Sequence, residues 1–140
     1  MAYAAGITKY TKKTLWDGLA AKTLKFALYT NDAANLDANT DPTTPLVYGT
    51  TNEITSTGYV AGGYAMDTLT NTASGNAYQI TAADEVIASP CTIPAGSYEA
   101  MIYEPADTNR AIAIVPVTVS VGSVDGTMTI DFPADCLKLA

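Results

Sequence analysis

The chain has 140 residues, a formal charge of -7, an apolar fraction of 48% and a charged fraction of only 15%. That is enough chain to bury one core without metals or disulfides, and too little charge for a disordered segment. It contains no histidine, which excludes imidazole bases, His-liganded zinc and the Ser-His-Asp and Cys-His nucleophiles, and its acidic balance argues against wholesale nucleic-acid binding.

Leu15, Trp16, Leu19 and Ala20 recur at helical spacing and predict a short helix over residues 10–21. Gly18 weakens it by about 1 kcal/mol. Lys9, Lys12 and Lys13 fall at its start, the end where the helix dipole favours acids. Lysines so placed are expected to serve contact rather than helix stability. The first 25 residues hold five lysines and one aspartate, a sum of +4, whereas the other 115 hold two bases and thirteen acids, a sum of -11. A basic arm on an acidic body suggests electrostatic contact with like molecules or with an acidic partner.

Strands follow. Leu24, Phe26 and Leu28 alternate with Lys25, Ala27 and Tyr29, the pattern of a half-buried strand. Residues 31–51 are rich in Asn, Asp, Thr and Pro and show no periodicity, which predicts a long docking loop. Strand-like runs resume at 63–70, 77–81 and 85–88. In 97–104, Tyr98, Ala100 and Ile102 alternate with Glu99, Met101 and Tyr103; 105–109 is a turn cluster and 111–115 the hairpin partner. Val117, Val119 and Val121, then Met128, Ile130 and Phe132, alternate with polar residues around an Asp125-Gly126 turn. The apolar phase is even at Ile112 and Ile114 and odd from Val117, so a bulge or an edge position is expected at Val115-Pro116. The fold class implied is all-β: a β-sandwich or jelly-roll-like body with one short N-terminal helix and a long docking loop. One domain spans 1–140, with the basic arm and helix in 1–22, the loop in 31–51 and the β body in 52–140.

Few motifs carry chemistry. Asp37, Asn39 and Asp41 begin like a calcium loop, but Pro42 stands where its glycine is needed and Tyr48 where its bidentate glutamate is needed. The glycines at 58, 62 and 63 lack the Lys-Ser/Thr of a phosphate loop and suit a tight turn before a strand. Asp84 and Glu85 are adjacent, so on a strand they point to opposite faces and cannot flank one bond. Cys91 and Cys136 can pair, but no spacing forces it, and buried free thiols are expected. No run approaches the roughly 20 apolar residues of a membrane span. Residues 1–6 do not read as a secretory signal, so an intracellular origin is expected. Nine tyrosines against two phenylalanines suit half-wet interfaces or sugar stacking. No catalytic residue, cofactor or metal is expected. The candidate partner-binding residues are Lys9, Lys12, Lys13, Trp16, Asp37, Asp41, Tyr48, Tyr59 and Tyr64.

The run Thr51-Asn52-Glu53-Ile54-Thr55-Ser56-Thr57-Gly58-Tyr59-Val60-Ala61-Gly62-Gly63 resembles a T-N-E-(V/I)-x-x-T-G-Y-x-A-G-G stretch of small virion structural proteins of tailed bacteriophages. The order of helix, strand, Asp/Asn-rich loop, motif and hairpin-rich half is also similar. The resemblance implies a non-enzymatic capsid cement or decoration protein that binds the major capsid protein or other virion proteins. It would be a homo-oligomer, trimer or dimer, on a virion assembled in the bacterial cytoplasm, without direct contact to nucleic acid or membrane. A neck or tail structural subunit and a surface carbohydrate-binding module are the alternatives.

Overall fold

In the computed structural model the described residues are 7–30, 46–67, 69–74, 77–87, 90–121, 128–133 and 137–139. Helix α1 (Lys9–Ala20) starts where Thr8, in an extended conformation, accepts the Thr11 amide on its side chain at 3.3 Å. It turns Trp16, Leu19 and Ala20 onto the main core. Leu15, expected on that face, is 53% exposed. The inner position is taken instead by Lys12, 8% exposed, a long stem of the kind that packs along apolar surface.

Among the described residues nine strands follow: β1 (Lys25–Tyr29), β2 (Tyr64–Ala65), β3 (Thr70–Ser74), β4 (Ala77–Thr81), β5 (Glu85–Ile87), β6 (Gly96–Glu104), β7 (Arg110–Val121), β8 (Met128–Asp131) and β9 (Leu137–Leu139). They form an antiparallel sheet in the order β2-β1-β6-β7-β8-β5 and a smaller one in the order β3-β4-β9. The larger sheet curls until its ends nearly meet: Ala83 N donates to Asp67 O at 3.2 Å, and Thr92 N to Thr57 O at 2.9 Å. The body is therefore an all-β, sandwich- to barrel-like structure with one short N-terminal helix. Helix α1 lies against β3 and β4. No helix among the described residues is long and apolar enough to cross a membrane.

The main core holds Phe26, Leu28, Ile102, Val119 and Ile130 from the large sheet and Leu24 just before β1, with Ile80 and Leu137 from the small one. Alternation in β6 and β7 is as the sequence implies: Ala100 and Ile102 face this core and Met101 and Tyr103 face away, while Val117 and Val119 are buried between exposed Thr118 and Ser120. Two expectations are corrected and a third is met in part. Strand β1 is buried on both faces, because Ala27 and Tyr29 join Met101 and Tyr103 in a second cluster that Leu46 and Tyr48 cover. The strand expected over 63–70 shrinks to β2, with β3 beginning only at Thr70, since the chain leaves left-handed turns at Gly62 and Gly63 just before it. The phase change in β7 sits earlier than Pro116: Ile102 pairs with Ala113 and Tyr103 with Ala111, so Ile112 is the inserted residue, and it packs with Ala113 on the main core.

Pro116 does mark an edge. The β7–β8 ladder ends at Thr118 opposite Asp131. Two residues further the same register would set Pro116 against Pro133, and the Phe132 amide is turned away to Asp84 Oδ1 at 3.0 Å. Neither proline has the N–H that the next ladder bonds need. Residues 31–45, with Asp37 and Asp41, the Asp125-Gly126 turn and Cys136 lie outside the described residues; Cys91 is a half-buried free thiol.

Candidate functional site

The Thr51–Gly63 run folds around one carboxylate. Asn52, with φ 63°, turns the chain in the left-handed region that Asn tolerates. Glu53 then bridges to Tyr29, and Ile54 N donates to Leu28 O at 3.0 Å, which fixes the run to the end of β1. Glu53 is 9% exposed. Its Oε2 accepts from Tyr48 Oη at 2.7 Å; its Oε1 accepts from Tyr59 Oη at 2.7 Å and from the Gly62 amide at 2.8 Å. Three of the roughly four acceptor positions of a carboxylate are thus taken by the protein.

The donors are themselves tied down. Tyr59 Oη accepts the Leu28 amide at 3.0 Å, Tyr103 Oη donates to Gly62 O at 2.6 Å, and Tyr29 Oη donates to Gly49 O at 2.6 Å. The Tyr48 ring stacks on Tyr103 with centroids 4.7 Å apart. One layer away, Tyr64 Oη donates to Gly58 O at 2.8 Å, and its ring meets Tyr59 edge-on. Two of the glycines are steric necessities. A Cβ on Gly63 would lie 1.7 Å from Phe26 O, and one on Gly58 2.3 Å from Pro90 O; both residues have positive φ.

Burial, followed by the neighbouring Glu53 carboxylate, pushes the Tyr48 and Tyr59 hydroxyls far above their ordinary range. Tyr29, chiefly through burial, is pushed up to about 12. These phenols are protonated donors at neutral pH. The arrangement holds backbone in place, and its donors point at Glu53 and at main-chain oxygens rather than at an opening.

The chain matches no family model, no curated protein and no solved structure. The site is therefore read from its own geometry.

Of the residues singled out in the sequence, Tyr48 and Tyr59 meet on Glu53 and Tyr64 adjoins them, all three in internal roles. Lys9, Lys12, Lys13 and Trp16 are together on α1, apart from this cluster. Lys9 is exposed. Lys13 pairs with Asp17, and that bond, with a second from Asn71, holds the Asp17 carboxyl below its usual range. Lys12 is buried, unlike Lys9 and Lys13. Trp16 is half-buried with its Nε1 enclosed and without a hydrogen-bond partner among the described residues. The exposed apolar groups of this region are Ile7, Tyr10 and Leu15. Sequence reasoning missed Glu53. Its signal was isolation: it is the only charged residue between Asp41 and Asp67, among tyrosines and glycines.

Proposed function

We propose that this protein is a non-enzymatic structural component of a tailed-bacteriophage virion, a capsid cement protein that stabilises the head by binding the major capsid protein. The observation that carries the reading is the Thr51–Gly63 run, whose residues resemble those of such proteins. The fold supports it with a physical rationale. Glu53, Tyr59, Gly62 and Gly63 make a stiff connection between β1, the 46–53 segment and the return to β2. A clamp across capsid joints needs rigid shape and contact area rather than turnover. A standard interface takes about 800 Å² from each partner, and the chain exposes 7911 Å², so it has room to touch a capsid subunit and a neighbour at once.

Tyr48, Tyr59 and Tyr64 use their hydroxyls internally, which weighs against their forming a sugar-stacking platform. The test is to interrupt the gene in the phage that carries it and to heat the particles at low salt. Heads lacking the protein should release DNA at lower temperature than complete heads. Equal resistance would refute the clamp. Electron cryomicroscopy of complete particles should find the protein in many copies over the shell; a single ring at the neck would assign it to the neck instead.

A further inference from the structure

Helix α1 exposes apolar and uncharged groups on its outward side, with Asp17 two turns from Tyr10 and paired there with Lys13. Ile7 is 54% exposed, Tyr10 80% and Leu15 53%, with Thr11, Thr14 and Gly18 exposed among them. Lys9 and Lys13 border Tyr10, and both are exposed. A tyrosine this exposed forgoes burial of about 150–250 Å².

The opposite character occurs on the large sheet. Where β8 leaves β7, an open pocket of about 340 Å³ is lined by Pro116, Val117, Phe132 and Pro133, with Ser97 and Asp131 beside them. Two proline rings and a phenylalanine form a wall suited to one aromatic ring. On the outer face beside it stand Glu99 of β6, opposite Pro116, and Asp131 of β8, while the one charged residue of β7, Arg110, is at that strand's far end.

We propose that Tyr10 of one copy seats in the Pro116–Pro133 pocket of a second copy, with the basic start of α1 at Lys9 turned toward Asp131 and Glu99. The occupant is a second copy because this chain carries both halves, with complementary charge: a sum of +4 over its first 25 residues and -11 over the rest. The two patches differ, so the contact is head-to-tail and builds rings or chains rather than a symmetric pair. It does not depend on the virion reading.

Sedimentation analysis of the full chain tests it. The wild type should associate with rising concentration, and less at about 1 M salt than at about 0.01 M, where the screening length falls from about 30 Å to about 3 Å. Tyr10→Ser and Asp131→Lys should each weaken association by roughly tenfold or more. Their equimolar mixture should recover a species of two chains and no larger, because the first keeps its pocket and the second its tyrosine. Thr118→Arg, at an exposed position on the same rim, replaces Asp131→Lys if that variant does not fold. A wild type that stays monomeric to about 1 mM overturns the proposal. So does association lost with Tyr10→Ser but unchanged by both pocket variants, which would show the helix pairing with itself. Failure of the mixture to recover dimers refutes the head-to-tail arrangement.

Discussion

Removing the Glu53 carboxylate is the sharpest perturbation this fold offers. Glu53→Ala deletes the acceptor of three hydrogen bonds, from Tyr48 Oη, Tyr59 Oη and the Gly62 amide. A buried donor left without a partner costs about 1–3 kcal/mol. The Gly62 amide is enclosed, and Tyr48 and Tyr59 are half-buried. The sum expected is about 3–5 kcal/mol, the range typical of removing one member of a buried charged contact. Against a total stability of about 5–15 kcal/mol this is a large fraction. Glu53→Gln should cost less, about 1–2 kcal/mol, because its oxygen can serve Tyr59 and Gly62 while its amide donates to a rotated Tyr48 hydroxyl. Tyr59→Phe should cost more than Tyr48→Phe, since it also orphans the Leu28 amide. Urea unfolding measures all four as shifts of midpoint at constant slope. A Glu53→Ala protein within about 0.5 kcal/mol of wild type, or a reversed tyrosine order, would refute the idea that this carboxylate organises the motif.

Alkaline pH probes the same cluster from the proton side. Tyr48, Tyr59 and Tyr29 are raised above the ordinary value of 10, Tyr29 to about 12, so the folded state holds protons that the unfolded state releases. Their stabilising contribution is complete below pH 10 and is lost as pH rises above it; melts across that window should fall less steeply in Tyr59→Phe, and an unchanged slope would contradict the assignment. Gly63→Ala, whose Cβ would sit 1.7 Å from Phe26 O, should fail to fold or lose more than about 3 kcal/mol, whereas Gly18→Ala, in open space on α1, should gain up to about 1 kcal/mol; both are read by denaturant unfolding. Phe26→Ala and Ile130→Ala, each 0% exposed in the main core, should each cost about 2–5 kcal/mol in the same assay.

Much of the architecture was legible because period-two alternation reports one-sided burial. The faces of β6, β7 and β8 came from Ala100, Ile102, Val117, Val119, Met128 and Ile130, whose neighbours are polar or face the other cluster. Where both faces are buried the rule misleads. Ala27 and Tyr29 look like the outer side of β1, and no local pattern announces that Leu46 and Tyr48 will cover them. Of the bulge or edge expected at Val115-Pro116, the edge is at Pro116 but the bulge is at Ile112, and its place was hidden for a related reason. Proline is a conspicuous marker, whereas a run of alanine and isoleucine hides which residue is inserted. For the candidate site, the residue types were visible but their partners were not. Tyr48, Tyr59 and Glu53 are joined by side-chain bonds that depend on a tertiary turn, and composition alone favours reading tyrosines as interface residues.

The Glu53 knot also determines which part of the sheet's outer face is available. Residues 46–53 lie over Ala27, Tyr29, Met101 and Tyr103, held by Tyr48 N to Asn109 O at 2.8 Å, Ala111 N to Leu46 O at 2.8 Å and the bonds to Glu53. That half is apolar and covered. The half formed by Thr118, Ser120, Val86 and Asp131 has no such cover among the described residues, and its exposed groups are small, polar or acidic apart from Val86. One sheet therefore has an inner core, a capped apolar half and an exposed acidic half, and the boundary follows from where the 46–53 segment is anchored. If the anchor were cut, Met101, Tyr29 and Tyr103 would become accessible, and the face would gain an apolar patch of the kind that drives non-specific association. The buried carboxylate thus confers specificity as well as stability. With it in place, the large apolar side chains exposed among the described residues are Ile7, Tyr10 and Leu15 at α1 and the scattered Val47, Val60 and Val86.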